Sequence, residues 1–131
     1  MHILFIFISL LLVVSCNRSI EYTRTYDTVQ IVEVETHKSR FVDTEVTVIF
    51  NYNNVKDHIK LIIGDGRETI YKPVGEIKLE YGCKEYDAVS GEGEKVKIGF
   101  CEDDLGTISF NPYDLKARVT YINLDLPEES D

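Results

Sequence analysis

Histidine and clustered acidic side chains are the residues of this sequence whose types could support catalysis or metal binding. Two histidines, His37 and His58, lie beyond the apolar first residues. His37 stands in a polar stretch, and His58 faces the solvent side in the alternation of a predicted strand. The chain contains no HExxH, GxSxG, P-loop or GxGxxG pattern around which a reaction could be organised. We therefore expect a protein that is not an enzyme and needs no cofactor.

The acidic residues give a weak candidate for a calcium site. Glu102, Asp103 and Asp104 are consecutive, and together with Asp65 or Asp87 they could supply oxygen ligands to Ca²⁺. Their spacing matches no EF-hand loop, and acidic turns are ordinarily just hydrated. Residues 91–93 (Gly, Glu, Gly) look like a phosphate cradle, but their acidic neighbours would repel phosphate, so we predict a hairpin tip there.

The overall charge excludes one class of partner. The chain of 131 residues carries 23 acidic and 14 basic side chains, which gives a formal net charge of −9. Nucleic-acid binders need clustered Lys and Arg to displace the counterions of the phosphate backbone. We therefore expect no nucleic-acid partner, and the acidity would suit a basic protein partner instead.

The pattern of the first residues is typical of an export signal. An unbroken apolar run, residues 3–14, is too short to span a bilayer comfortably as a helix. It ends in Val13, Val14, Ser15 and Cys16, which resembles the lipobox of a bacterial lipoprotein signal peptide. The resemblance covers residues 1–16 only, and ordinary secretion with cleavage nearby or an uncleaved short anchor are the alternatives. It implies that residues 1–15 are removed, that Cys16 receives diacylglycerol and a further acyl chain such as palmitate, and that the acyl chains are inserted in an envelope membrane.

The residue after this cysteine bears on location, and the cysteine count bears on the rest of the chain. Asn17 is not Asp, and by the enterobacterial sorting rule this favours the outer membrane, with the periplasmic leaflet as the expected side. Three cysteines are an odd number, so a lipid on Cys16 leaves Cys83 and Cys101 as a pair. In an oxidising periplasm we predict a Cys83–Cys101 disulfide. Two buried free thiols, or a redox or metal site, are the alternatives.

The hydrophobic pattern after the signal has a period of two almost throughout. About nine short runs rich in Val, Ile, Thr, Tyr and Phe recur at spacings near ten residues, with turn residues between them. This pattern predicts an all-β antiparallel fold, a small Ig-like sandwich of about seven to nine strands, with a small up-and-down barrel as the alternative. We expect a lipidated cysteine and tether at 16–26, one domain at 27–124, and an acidic tail at 125–131.

Tyrosine is the most prominent residue for recognition, since the chain has eight tyrosines and no tryptophan. Tyrosine is common in protein-binding surfaces and equally common as a half-exposed strand residue. We predict a lipid-anchored envelope protein that acts as a binding or structural module through protein contacts. One alternative is a small-ligand carrier with a lipocalin-like cavity. The other is an inhibitor of a basic hydrolase such as lysozyme, whose periplasmic inhibitors this chain resembles only in being a small, acidic, β-rich lipoprotein with a disulfide. The tyrosines in or beside predicted strands are Tyr71, Tyr81, Tyr86, Tyr113 and Tyr121.

Overall fold

The chain folds into eight strands, and the all-β antiparallel prediction is confirmed. The computed structural model describes residues 19–102, 106–113 and 116–124. The expected signal at 1–15, Cys16 and the acidic tail at 125–131 lie outside the described residues. The strands are β1 (Tyr22–Glu33), β2 (Ser39–Phe50), β3 (Ile59–Ile63), β4 (Glu68–Glu80), β5 (Cys83–Ser90), β6 (Lys95–Cys101), β7 (Thr107–Pro112) and β8 (Ala117–Ile122), with a short 3-10 turn at Tyr52–Asn54.

The sheet closes on itself as an up-and-down barrel. Each strand pairs with the next in antiparallel fashion, and β8 returns to pair with β1, from Thr28 opposite Ile122 to Glu33 opposite Ala117. The expected two-sheet sandwich is therefore not what forms, and the barrel alternative is confirmed. Every strand has two paired neighbours in a closed barrel, so this small sheet is left without an ordinary free edge strand.

The first strand begins earlier than the expected domain boundary at residue 27. β1 starts at Tyr22, so that residues 22–26 of the expected tether belong to the sheet. Tyr22 to Tyr26 pair with Phe50 to Val46 of β2, and the register shifts between Tyr26 and Thr28. Thr28 is also the first residue of β1 that pairs with β8. The bulge therefore lies at the point where pairing with β8 begins.

β4 is a single long strand that continues through Pro73, although a proline has no N–H to donate and ordinarily marks a sheet edge or the end of a strand. Pairing with β3 ends at Tyr71, but pairing with β5 continues past Pro73, which lies opposite Ala88. The register shifts between Val74 and Lys78, around Gly75, whose φ of 82° suits glycine. The end of β4 thus extends beyond β3 as half of a hairpin with β5.

Side chains fill the inside of the barrel. Alternate residues of each strand point inward, and the most deeply buried are Val46, Val48, Val96, Ile98 and Ile108. A barrel of eight strands has an interior just wide enough for such a packed core or for one small ligand. Here the aliphatic and aromatic side chains of the core occupy that space. The buried apolar residues are Tyr26, Val46, Val48, Phe50, Ile59, Leu61, Tyr71, Tyr86, Ala88, Val96, Ile98, Phe100, Ile108, Phe110 and Tyr121.

Tyrosines make up a large part of this core, contrary to their interpretation as half-exposed or recognition residues. Tyr71, Tyr86 and Tyr121 are buried, and so is Tyr26. Two of these hydroxyl groups donate to backbone carbonyl groups, that of Tyr26 to Gly106 and that of Tyr86 to Asp57. Buried phenol groups need such partners. Tyr81 and Tyr113, by contrast, are exposed.

The buried tyrosines make the barrel less stable in alkali. Burial raises the pKa of Tyr26 and of Tyr71 from 10.0 to about 12. Between these pH values the folded chain holds protons that the unfolded chain has lost, so the free energy of unfolding falls as the pH rises. We expect the urea midpoint to drop steadily above about pH 10.

A matched pair of variants isolates this effect. Tyr71→Phe removes one titrating core group, so the alkaline loss should become shallower, while Tyr81→Phe at an exposed position should leave it unchanged. A urea midpoint that is constant from pH 9 to pH 11.5, or an equal change in both variants, would contradict the assignment.

Candidate functional site

A cleft with an aromatic floor opens at one end of the barrel. This end, at which β1 begins, β2 ends and the β4–β5 hairpin turns, is called the disulfide end. The cleft has a volume of about 430 Å³, which lies within the range of small-molecule sites. β1, the β4–β5 hairpin and the end of β6 supply its lining residues: Tyr22, Leu79, Glu80, Tyr81, Gly82, Cys83, Lys84, Phe100 and Glu102.

The rings of Tyr22 and Phe100 line the floor of the cleft, and the buried ring of Phe50 packs against both. The ring of Tyr22 lies parallel to that of Phe50, with centroids 4.8 Å apart. Phe50 in turn packs against Phe100 at 4.7 Å, with the two planes tilted by 47°. Such contacts contribute stability beyond the area they bury. The floor is therefore a rigid apolar surface that continues directly into the core.

One wall of the disulfide end contains an arginine over an aromatic ring. The Arg24 guanidinium lies 5.7 Å from the centroid of Phe100, and its Nη2 is 2.5 Å from Oε1 of Glu102. Gly106 lies beside this guanidinium with a φ of 71°, and a Cβ at that position would collide with Arg24. Arg24 and Glu102 thus place one fixed ion pair beside the apolar floor.

A second ion pair lies at the opposite side of the floor. Nζ of Lys84 is 3.0 Å from Oδ1 of Asp57, whose side chain is only 6% exposed. The Asp57 N–H donates to the side-chain oxygen of Asn51, and its carbonyl group accepts from Tyr86. A buried carboxylate is stable only with partners of this kind. Lys84 is therefore held over the edge of the cleft.

The β4–β5 hairpin is fastened to the barrel by the disulfide. Cys83 and Cys101 are direct register partners on β5 and β6, and their sulfur atoms are 2.11 Å apart, as the predicted disulfide requires. The hairpin turns at Tyr81 and Gly82, which both have positive φ angles, 50° and 77°. A two-residue turn of this shape favours Asn and Gly, so a tyrosine is unusual there. Tyr81 is nevertheless 95% exposed.

The calcium candidates do not come together. Glu102 is paired with Arg24, whereas Asp65 pairs with Arg67 in the turn between β3 and β4, at the opposite end of the barrel. Asp87 accepts a hydrogen bond from the Tyr113 hydroxyl. Asp103 and Asp104 lie outside the described residues. Within the described part of the chain, no group of three His, Cys, Asp or Glu residues is placed to hold a metal ion.

The two histidines are likewise separate from the cleft. His37 is exposed in the turn between β1 and β2, where its N–H donates to the Glu33 carbonyl group. His58 is half-buried, and burial together with the nearby Lys72 charge lowers its pKa. Neither histidine is among the residues that line the cleft.

Sequence reasoning missed most of the cleft. Tyr22 and Arg24 were assigned to the tether, and Lys84 and Asp57 carried no motif. The alternation of Tyr22, Arg24 and Tyr26 with Thr23 and Thr25 was a signal that could have extended the first strand. No local pattern could have shown that Asp57 and Lys84, 27 residues apart, form an ion pair.

Two further clefts lie on the outside of the barrel. One, of about 540 Å³, crosses the outer surface of β5 to β8 and is largely polar. The other, of about 380 Å³, lies beside the β4 bulge at Gly75. The cleft at the disulfide end differs from both because it opens onto stacked core rings and is framed by two ion pairs and a disulfide.

Comparison with known proteins gives no relative from which a role could be inferred. No family model matches the chain, no curated protein matches it, and no solved structure matches it. In the described residues no helix is long and apolar enough to cross a membrane. The functional argument therefore rests on the geometry of the cleft and on the sequence of the first residues.

The disulfide should contribute a large share of the stability of this domain. It closes a loop with a sequence separation of 18, for which the chain-entropy model gives about 3 kcal/mol. We expect the double variant Cys83→Ala/Cys101→Ala to lose about this much free energy of unfolding in urea. Cys16→Ser, which leaves the disulfide intact, is the control and should be unchanged. Equal stability of the double variant and the wild type would contradict a formed disulfide.

Proposed function

We propose that this protein is a lipid-anchored envelope protein that binds a small amphipathic molecule in the cleft at the disulfide end. The observation that carries the proposal is the cleft itself, in which the rings of Tyr22 and Phe100, both packed on Phe50 of the core, open to solvent beside charged groups. Of the expected functions, the closed barrel favours the small-ligand carrier over the protein-binding module.

The chemistry of the lining defines the kind of ligand. The apolar floor favours a hydrocarbon or aromatic body, because removing such surface from water is favourable. Lys84, Glu80 and Glu102 line the same cleft and offer both signs of charge to a polar head. An amphipathic molecule satisfies both parts of this surface, whereas a fully polar one would leave the rings in water.

The packed interior sets the position of the ligand. In a lipocalin-like carrier the ligand lies inside the barrel, but here core residues such as Ile98 and Ile108 are fully buried within it. The ligand would therefore lie on the mouth of the barrel, against the rings, rather than in a deep cavity. Ligand exchange at such a site needs no opening of the sheet.

The anchoring part of the proposal rests on the sequence. The apolar run and the lipobox at residues 13–16 support export and acylation of Cys16. Inhibition of a basic hydrolase such as lysozyme stays a prediction from the acidic composition and the format of the chain. An envelope protein partner stays a prediction as well.

The cleft is tested with a neutral apolar probe. N-phenyl-1-naphthylamine should bind and increase in fluorescence, and Leu79→Ser should weaken its Kd by about tenfold, because one large apolar side chain is lost from the lining. Phe41→Ser is the matched control, because it also removes an exposed apolar side chain but lies at the opposite end of the barrel. This variant should bind the probe as the wild type does. Absence of probe binding, or equal weakening in both variants, would reject the site.

Anchoring is tested independently by mass spectrometry. Protein extracted from the membrane fraction of a bacterial host should begin at residue 16 and carry the mass of a diacylglycerol group. Cys16→Ser should lack the mass of the diacylglycerol group, while Cys83→Ala should retain it. An unmodified Cys16 in the wild type would reject the anchoring and leave the cleft test unaffected.

A further inference from the structure

We propose that the disulfide end of the barrel lies against the zwitterionic surface of the bilayer that holds Cys16. The contacting surface, called the membrane rim, consists of Ile20, Tyr22, Val55, Leu79 and Tyr81. This inference rests on the proposed acylation of Cys16. It also names the source of the ligand, because a cleft that opens within the rim would take its amphiphile from the bilayer.

The first described residues are fastened to the disulfide end. The Ser19 N–H donates to the Asn54 carbonyl group, and the Glu21 N–H donates to the Asn54 side-chain oxygen, each at 3.2 Å. The Asn51 amide donates to the carbonyl group of Ile20 at 3.0 Å. The Asn53 N–H donates to the Glu21 carboxylate at 2.8 Å. The chain therefore leaves the barrel at this end.

The covalent length of the chain then limits where the barrel can lie. Three residue steps separate Cys16 from Ser19, and they span at most about 11 Å whatever conformation they adopt. A strand such as β6, of seven residues, is itself about 20 Å long. The disulfide end therefore stays within reach of the headgroups.

The side chains of the rim suit this position. Ile20 is 84% exposed, Leu79 is 73% exposed and Tyr81 is 95% exposed, and they come from two segments at one end, the residues before β1 and the β4–β5 hairpin. Tyrosine and aliphatic side chains are favoured at the boundary between headgroups and hydrocarbon. Tyr81 also occupies a left-handed turn position in which it is strained. Because Tyr81 packs so little against the barrel, contact with the membrane would account for a large aromatic side chain at this turn.

The charge of the protein selects the kind of lipid surface. The chain has a net charge of −9, and at this end Glu21 and Glu80 lie beside Lys56 and two neutral ion pairs, Arg24–Glu102 and Lys84–Asp57. An anionic surface would repel the protein, whereas a zwitterionic surface presents no such barrier. The apolar contact of the rim is therefore expected to be strongest on zwitterionic lipid.

The experiment uses an acyl chain that is coupled to the purified protein in vitro, so that the result does not depend on acylation in the cell. A single myristoyl-length chain is coupled to the Cys16 thiol of the protein from residue 16 onward, which keeps every described residue and the disulfide. One such chain gives only weak, reversible binding, with an association constant of about 10⁴ M⁻¹. The contribution of the rim can therefore be measured as a change in partition onto phosphatidylcholine vesicles.

Two double variants with exposed positions serve as a matched pair. Leu79→Ser/Tyr81→Ser at the rim should lower the partition constant about tenfold or more, because two large apolar side chains no longer enter the interface. Val34→Ser/Phe41→Ser at the opposite end should leave it unchanged. Adding anionic phosphatidylglycerol to the vesicles should weaken binding of the wild type.

The outcomes separate this inference from the proposed function. Equal losses in the two double variants, or no loss in the rim variant, would overturn the membrane rim. Mass spectrometry shows whether Cys16 is acylated in the cell. Probe binding without vesicles shows whether the cleft binds an apolar molecule. Each of these three results can therefore be negative while the other two measurements stand.

Discussion

Pairing of β1 with β8 is the constraint on which the rest of this structure depends. Without it the eight strands would form an open sheet with two free edges and an apolar face that one layer cannot cover. β1 makes closure feasible because it is long enough to have two parts. Its first part, from Tyr22 to Tyr26, pairs with β2 alone, and its second part, from Thr28 onward, pairs with β2 on one side and β8 on the other. The bulge between them changes the direction of the strand at the point where closure begins.

Closure also explains why the functional surface lies at an end and not inside. The interior of a barrel of this strand number is filled by ordinary core side chains, and Val48, Ile98 and Ile108 leave no exposed area there. A cleft that opens onto the rings of the core can then form where strands extend past their neighbours. The early part of β1 does so on one side, and β4 with β5 does so on the other, since β3 stops pairing at Tyr71. The cleft is the space between these two extensions.

The sequence predicted the strand-rich class, most turns and the cysteine pair, because alternation and turn chemistry are local. Pro73 is an exception to such local signals, because the missing N–H of proline argues against pairing and β4 nevertheless continues through it. Pro73 can lie within the strand because pairing of β4 with β3 has already ended at Tyr71. At Pro73 the strand pairs with β5 alone, where Pro73 is opposite Ala88. Sandwich and barrel could not be separated, because closure depends on Thr28 meeting Ile122 across 94 residues of chain. For the same reason the Arg24–Glu102 pair, 78 residues apart, had no signal in the sequence.

The loop between β2 and β3 couples the exit of the chain to the cleft. Asn51, Asn53, Asn54 and Asp57 all have positive φ angles, between 53° and 62°. Asn and Asp tolerate this conformation better than other side chains, but four such residues in seven still need compensation. The compensation comes from both sides of the loop. Asn51 and Asn54 bind residues 19–21, while Asp57 binds Lys84 at the cleft. One strained loop therefore makes both sets of contacts. The place where the chain leaves the barrel and the place where a ligand would bind are therefore parts of one hydrogen-bonded unit.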